Sequence, residues 1–288
     1  MELQRDVDQL DERSIKLVTI SYDSQETLQT FTQSQGVTYT MLSDPGSEII
    51  ERFDLLNPVP EWALGEDSDD PDVAEAVATY VSVVNPSEMM VGIAFPGTFI
   101  LDPDGEVLER HFEDFYIERN TISSVLLRMG EDLEPVQATE VSTLQLDLTT
   151  YSSDPAVAVG NRFALVLEIE PKEGMHIYAP GSSDDYRDIS LTIDPLPFLR
   201  VLPMEFPDAG EYYFEPLDDS QPVYEESFKL IQEVYMDGSL EAQGLVRGED
   251  SVTLTGTLEY QACDATICYI PTSIPLTWTM ELRPLVFR

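Results

Sequence analysis

Phe95-Pro96-Gly97-Thr98-Phe99-Ile100-Leu101-Asp102-Pro103-Asp104-Gly105 decides how the N-terminal half of the chain is read. Residues 98–101 (Thr-Phe-Ile-Leu) read as one short strand, and residues 106–110 (Glu-Val-Leu-Glu-Arg) as a second. Between them lies turn chemistry. Proline presets φ, aspartate bonds back to nearby backbone, and glycine takes a positive φ at no steric cost. The expected element is a β-hairpin. A calcium loop would need later ligands and a terminal glutamate that this stretch does not supply.

Upstream, residues 16–22 read as a strand. Ser24 can cap a helix that runs to Gln35, with Glu26 in its first turn and Gly36 as its stop. Residues 38–42 are a second strand, and Asp44 or Ser47 opens a short helix ending near Phe53. Residues 57–71 form a Pro- and acid-rich loop, whose run of carboxylates is read as solvated. Residues 73–84 are expected to be helical, and residues 1–12 place Leu3, Val7 and Leu10 at helical spacing. Downstream, residues 117–129 have Ile117, Ile122, Val125, Leu126 and Met129 on one side, as an amphipathic closing helix would. The alternation of helices and strands predicts an α/β domain over residues 1–131.

The pattern changes after Gly130. Residues 131–140 read as a linker. Beyond them, strands are expected at 144–148, 163–169, 175–179, 189–193, 228–235, 252–260 and 274–282, with almost no helical periodicity. Short strands separated by Pro- and Gly-bearing turns predict an all-β antiparallel sandwich over residues 140–288.

The formal charge is −40, from 15 basic and 55 acidic residues. The acid is spread along the chain, 29 of the 55 lying in residues 1–134. Such a surface repels nucleic acid and anionic membranes, so neither is an expected partner. No apolar run is long enough for a membrane-spanning helix. His111 and His176 are too far apart in sequence to suggest a shared site, and no cluster has metal-ligand spacing. His176 reads as a structural strand residue.

The chain has two cysteines, in Tyr260-Gln261-Ala262-Cys263-Asp264-Ala265-Thr266-Ile267-Cys268-Tyr269-Ile270-Pro271. They either remain a dithiol or form a small ring. Closing so short a loop removes only about 2 kcal/mol of unfolded-chain entropy. A permanent clasp of that size adds little to a chain long enough to build a large core. A small exposed disulfide is instead the type that exchanges with partner thiols. Asp264 and Glu259 lie near the thiols, where a carboxylate would raise a thiol pKa and slow its attack unless solvated. Tyr260 and Tyr269 flank the pair, and aromatic rings there would shield a reactive sulfur. The competing reading is a structural disulfide in a non-catalytic binding or assembly module.

The N-terminal stretches resemble the thioredoxin-like superfamily, nearest its peroxiredoxin (alkyl hydroperoxide reductase/thiol-specific antioxidant, AhpC/TSA) and TlpA-like branch. The resemblance is carried by residues 18–23, 26–31 and 42–45 and by the hairpin stretch quoted first. It implies a cis peptide bond before Pro96, where that family places one beside its active cysteine. It also implies an opening strand and a cysteine-bearing loop before the first helix. Neither is present, so this half is expected to be an incomplete, inactive redoxin. Antioxidant or peroxidase activity would belong only to a longer parent.

Lys172-Glu173-Gly174-Met175-His176-Ile177-Tyr178, residues 222–228 and the Tyr-Gln-x-Cys…Cys-Tyr-x-Pro block resemble the N-terminal domain of the thiol:disulfide interchange protein DsbD. That resemblance implies an immunoglobulin-like sandwich in the periplasm or another extracytoplasmic space. It implies electron relay through Cys263 and Cys268 to thiol–disulfide partner proteins, with a membrane-embedded donor and no cofactor. Cys268 would attack and Cys263 would resolve. A mobile aromatic cap would correspond to residues 211–215, with Tyr212, Tyr213 and Phe214 covering the pair. The family more often has five residues between its cysteines, against four here.

Overall fold

The computed structural model describes residues 2–65, 68–83, 85–112, 119–214 and 218–284. Ile117, and positions 66, 67, 84 and 215 of the stretches expected at 57–71, 73–84 and 211–215, lie outside them. The chain divides into two compact units, Met1–Tyr116 and Ile117–Arg288.

In the first unit, helix Glu2–Glu12 buries Val7 and Leu10. Strand Val18–Ser21 leads into helix Gln25–Gln35 and then strand Thr40–Ser43, which pairs parallel to the first with Ile20 opposite Leu42. The helix starts and stops where its caps dictate. The Ser24 hydroxyl accepts from the Thr27 amide, and Gly36 takes φ 66° at the C-terminus. Asp44 Oδ2 accepts from the Ile49 and Ile50 amides, both at 2.9 Å, and so caps helix Glu48–Arg52 from outside. A helical turn, Val59–Trp62, interrupts the expected loop, and helix Pro71–Val83 follows.

The expected hairpin forms from Gly97–Leu101 and Val107–Phe112. Asp102 Oδ1 accepts from the Asp104 and Glu106 amides in its turn. Phe99 packs edge-to-face on both Phe53 and Phe112. Gly97 packs closely under Leu55, whose Cδ2 would lie 2.8 Å from an added Cβ and would have to shift to admit it. One expectation fails here. No peptide bond among the described residues is cis, so Phe95–Pro96 is trans. The Phe95 amide donates to Leu55 O at 2.7 Å and Pro96 leads directly into strand Gly97–Leu101, so no tight turn offsets the ordinary trans preference. Val18, Ile20 and Leu42 remain 42%, 42% and 46% exposed, so this two-stranded parallel sheet is only partly covered.

The second unit is a β-sandwich. One sheet runs in the order Leu199–Val201, Phe228–Met236, Asn161–Pro171, Leu146–Ser152, Ala138–Ser142. The facing sheet runs Ser190–Ile193, Ser251–Tyr260, Thr272–Leu282, Ala156–Val157. Alternate residues of both form one core, including Phe163, Leu165, Leu167, Leu230, Leu254, Leu276 and Trp278. Trp278 Nε1 donates to Thr150 Oγ1 at 2.9 Å, tying the sheets together through a satisfied buried pair. A third sheet, in the order Gly210–Phe214, Asp219–Tyr224, His176–Tyr178, Ala262–Cys263, carries Cys263.

Two helices depart from expectation. The helix expected to close the first domain runs Ile122–Arg128 and belongs to the second unit. The reason is the central strand Asn161–Pro171, which is apolar on both faces. Phe163, Leu165 and Leu167 face the sandwich core, whereas Ala164 and Val166 join Tyr151 on the outer face, and Leu127 covers them. Thr121 caps this helix and donates to buried Asp154 at 2.7 Å. Arg128 and Arg162 both pair with Glu233. The second helix, Leu240–Gly248, starts at a Ser239 cap and buries Ala242. Its two glycines hid it from periodicity. Strand Ala138–Ser142 also occupies part of the expected linker.

Truncating Leu127 to Ala should therefore cost the second unit about 2–4 kcal/mol, since it opens the outer face of the larger sheet. Urea unfolding followed by Trp278 fluorescence in a Trp62→Phe background checks this.

Candidate functional site

The Cys-x4-Cys spacing places the cysteines opposite each other at the tip of a hairpin. The Tyr269 amide donates to Ala262 O at 3.0 Å, and the Asp264 amide donates to Ile267 O at 2.9 Å. These bonds bracket Cys263 and Cys268, which form an antiparallel bridge without hydrogen bonds of their own. Side chains at such a position approach most closely. Their Cα atoms are 4.1 Å apart and the sulfurs are bonded.

The two sulfurs differ in environment. Cys263 is 1% exposed and packs with Tyr178 and Val223, whereas Cys268 is exposed. Cys263 lies on the sheet, in register with His176, and Cys268 lies beyond the loop. The Tyr178 hydroxyl is 3.2 Å from Cys263 Sγ and 3.7 Å from Cys268 Sγ. Burial, then the neighbouring Tyr186 and Asp219, push the Tyr178 pKa up, so it keeps its proton.

A cleft of about 120 Å³ opens onto the disulfide, lined by His176, Tyr178, Tyr186, Tyr212 and Phe214. Tyr178 stacks on Tyr186 at 4.2 Å, and His176 stacks on Tyr212 at 4.1 Å. Burial lowers the His176 pKa against the opposing pull of Glu225 and Asp264, which favours the neutral imidazole. Of the three aromatics expected as a cap, strand alternation turns Tyr212 and Phe214 to the cleft. Tyr213 points away, is 56% exposed, and donates to Asp218.

The expected flanking residues divide. Tyr260 is fully buried in the sandwich core, its hydroxyl shared with Thr143 and Gln145, so it is not a shield for the sulfurs. Strand Ser251–Tyr260 alternates, and position 260 falls on its inner face. Tyr269 lies just past the ring, and its hydroxyl donates back to Asp264 Oδ2 at 3.1 Å. Pro96 lies in the other compact unit. His111 is 3.1 Å from Glu109 on the first unit's hairpin.

Sequence reasoning assigned no role to Tyr178, Tyr186 or Gln261. Gln261 accepts from the Arg187 amide and donates to Tyr269 O, joining the base of the ring to a neighbouring loop. Asp264 also differs from expectation. Its Oδ1 accepts from the Thr266 amide, the Thr266 hydroxyl and the Ile267 amide at 2.7–2.8 Å. These bonds commit the carboxylate to the loop and hold its pKa down at about 2. The readable signal was Asp-x-Thr, an Asx-turn pattern.

Because this folded-state pKa is depressed, the carboxylate's support of the loop is complete above its ordinary value of 3.8 and is lost as pH falls through about 2. NMR should show the Thr266 and Ile267 amides losing exchange protection across that window, with the Asp264 carboxyl carbon titrating alongside.

Residues 1–110 match the model of the AhpC/TSA family. No curated protein matches the chain. Among solved structures, the N-terminal periplasmic domain of ScsB from Proteus mirabilis is similar at 12% identity, with a TM-score of 0.35. The alignment covers 48% of this chain and 49% of that one, so it spans about half of each. No helix among the described residues is long and apolar enough to cross a membrane. Residues 1–110, a thioredoxin-like region of mixed helices and strands, are thus similar to the AhpC/TSA family, and that match ends well before the cysteines.

Proposed function

We propose that the second unit is a thiol–disulfide exchange module in which Cys268 meets the partner and Cys263 resolves. The observation that carries this reading is the unequal exposure of one bonded pair, with Cys268 exposed and Cys263 buried. A partner thiolate attacks Cys268 Sγ. A partner–Cys268 disulfide forms, the Cys263–Cys268 bond breaks, and its electron pair leaves on Cys263 Sγ. The Tyr178 hydroxyl, 3.2 Å away, donates to that new thiolate and makes it a better leaving group. A second partner thiolate then attacks the partner's own sulfur and releases Cys268. The partner is oxidised, and the module gains two electrons and, as thiols, two protons. The reverse sequence passes the electrons to another disulfide.

The first unit has no cysteine and contributes no thiol of its own. On this reading residues 1–116, as they stand, take no direct part in the exchange. A disulfide that re-forms after each exchange suits an extracytoplasmic, oxidising compartment, and the sequence resemblance to the DsbD N-terminal domain suggests a membrane-embedded electron donor.

Two measurements test this. Cys263→Ser leaves an accessible thiol that should react quickly with 5,5′-dithiobis(2-nitrobenzoate) and keep the mixed disulfide. Cys268→Ser leaves a buried thiol that should react far more slowly. Equal reactivity, or a wild-type pair inert to dithiothreitol in the native protein, would favour the structural clasp. Tyr178→Phe should slow reduction of the pair by dithiothreitol about tenfold, the scale of one hydrogen bond to a charged group.

A further inference from the structure

We infer that Asp264 is a positioning residue that sets the reduction potential of the Cys263–Cys268 pair by holding the two cysteines face to face whether or not their sulfurs are joined. This rests on the exchange reading above. The loop between the cysteines is four residues long, Asp264 to Ile267, and its hydrogen bonds converge on one carboxylate. Three come from Thr266 and Ile267 within the loop. The fourth comes from Tyr269, just past Cys268, so Asp264 spans the ring from the residue after Cys263 to the residue after Cys268. None of the four involves sulfur. Breaking the disulfide removes none of them, nor the two backbone bonds that bracket the pair.

The consequence follows from exchange chemistry. Reduction by dithiothreitol converts one protein disulfide and one dithiol into two protein thiols and oxidised dithiothreitol. Its equilibrium constant falls as the two protein thiols are held closer to bonding distance, because re-closure then orders little further chain. A loop kept rigid in the reduced state makes the pair harder to reduce. Freeing the loop makes it easier.

Charge offers a competing account, since a carboxylate near the sulfurs disfavours a thiolate and lowers the potential as well. Substitutions separate the two. Asp264→Ala removes charge and acceptor. Asp264→Asn removes the charge but keeps the Oδ1 acceptor for the Thr266 and Ile267 groups. Thr266→Val removes one donor and no charge.

The experiment is redox equilibration of the full chain with dithiothreitol at neutral pH, reading the reduced fraction by thiol alkylation and mass, with circular dichroism of each oxidised variant as the fold control. Asp264→Ala should raise the equilibrium constant for reduction about tenfold, equivalent to ~30 mV. Asp264→Asn should stay close to wild type, and Thr266→Val should move in the alanine direction by a smaller factor. If Asp264→Ala leaves the constant unchanged, or Asp264→Asn moves it as far as alanine does, the positioning role is overturned and the exchange reading stands. Should Asp264→Ala fail to fold, Thr266→Val decides, and an unchanged constant overturns the proposal. A wild-type pair that never equilibrates with dithiothreitol overturns both readings.

Discussion

The chemistry of the second unit depends on the backbone of a hairpin tip. Two main-chain hydrogen bonds, Tyr269 to Ala262 and Asp264 to Ile267, fix Cys263 and Cys268 as directly opposed residues. Everything else at the site refines that placement. The strand His176–Tyr178 pairs with Ala262–Cys263, which buries one sulfur and brings the Tyr178 hydroxyl to it. The other sulfur follows a loop outside the strands of the described residues and is open to solvent. One disulfide thereby acquires two unlike ends, one suited to meeting another protein and one suited to leaving.

The aromatic layer over the pair follows from strand periodicity. Tyr212 and Phe214 reach the cleft because they are two residues apart on one strand, and Tyr213 is excluded by the same rule. His176 and Tyr178 are likewise two apart on the neighbouring strand. Each stacks on a residue from a different segment, His176 on Tyr212 and Tyr178 on Tyr186. The cleft is thus walled by contacts between segments far apart in sequence, and no single stretch of the chain announces it.

That explains which parts of the structure were legible. Local signals read well. Ser24 and Gly36 bounded a helix, Asp102 to Gly105 made a turn, and the strand expected at 163–169 lies within the central strand Asn161–Pro171. The cysteine pair stood out through its spacing and its neighbours. Signals that depend on a distant partner did not read. Residues 122–128 have an apolar side that any sheet could bury, and only the outer face formed by Tyr151, Ala164 and Val166 determines which sheet does so. Tyr260 lies close to Cys263 in sequence, yet strand alternation sends its ring into the sandwich core. Asp264 was read as a charge beside a thiol because its acceptor role depends on the loop folding back over it.

The partly covered parallel pair in the first unit has a consequence for how molecules of this protein meet in solution. Val18, Ile20 and Leu42 offer an apolar, strand-like surface of the type on which chains add to one another. The net charge of −40 opposes that approach, because any two copies repel before their strands can touch. The acidic coat therefore acts as a colloidal guard for an imperfectly sealed fold. Concentrated salt, which screens charge beyond a few ångströms, or acid, which discharges the carboxylates, would lower that guard and leave the sheet open to self-association.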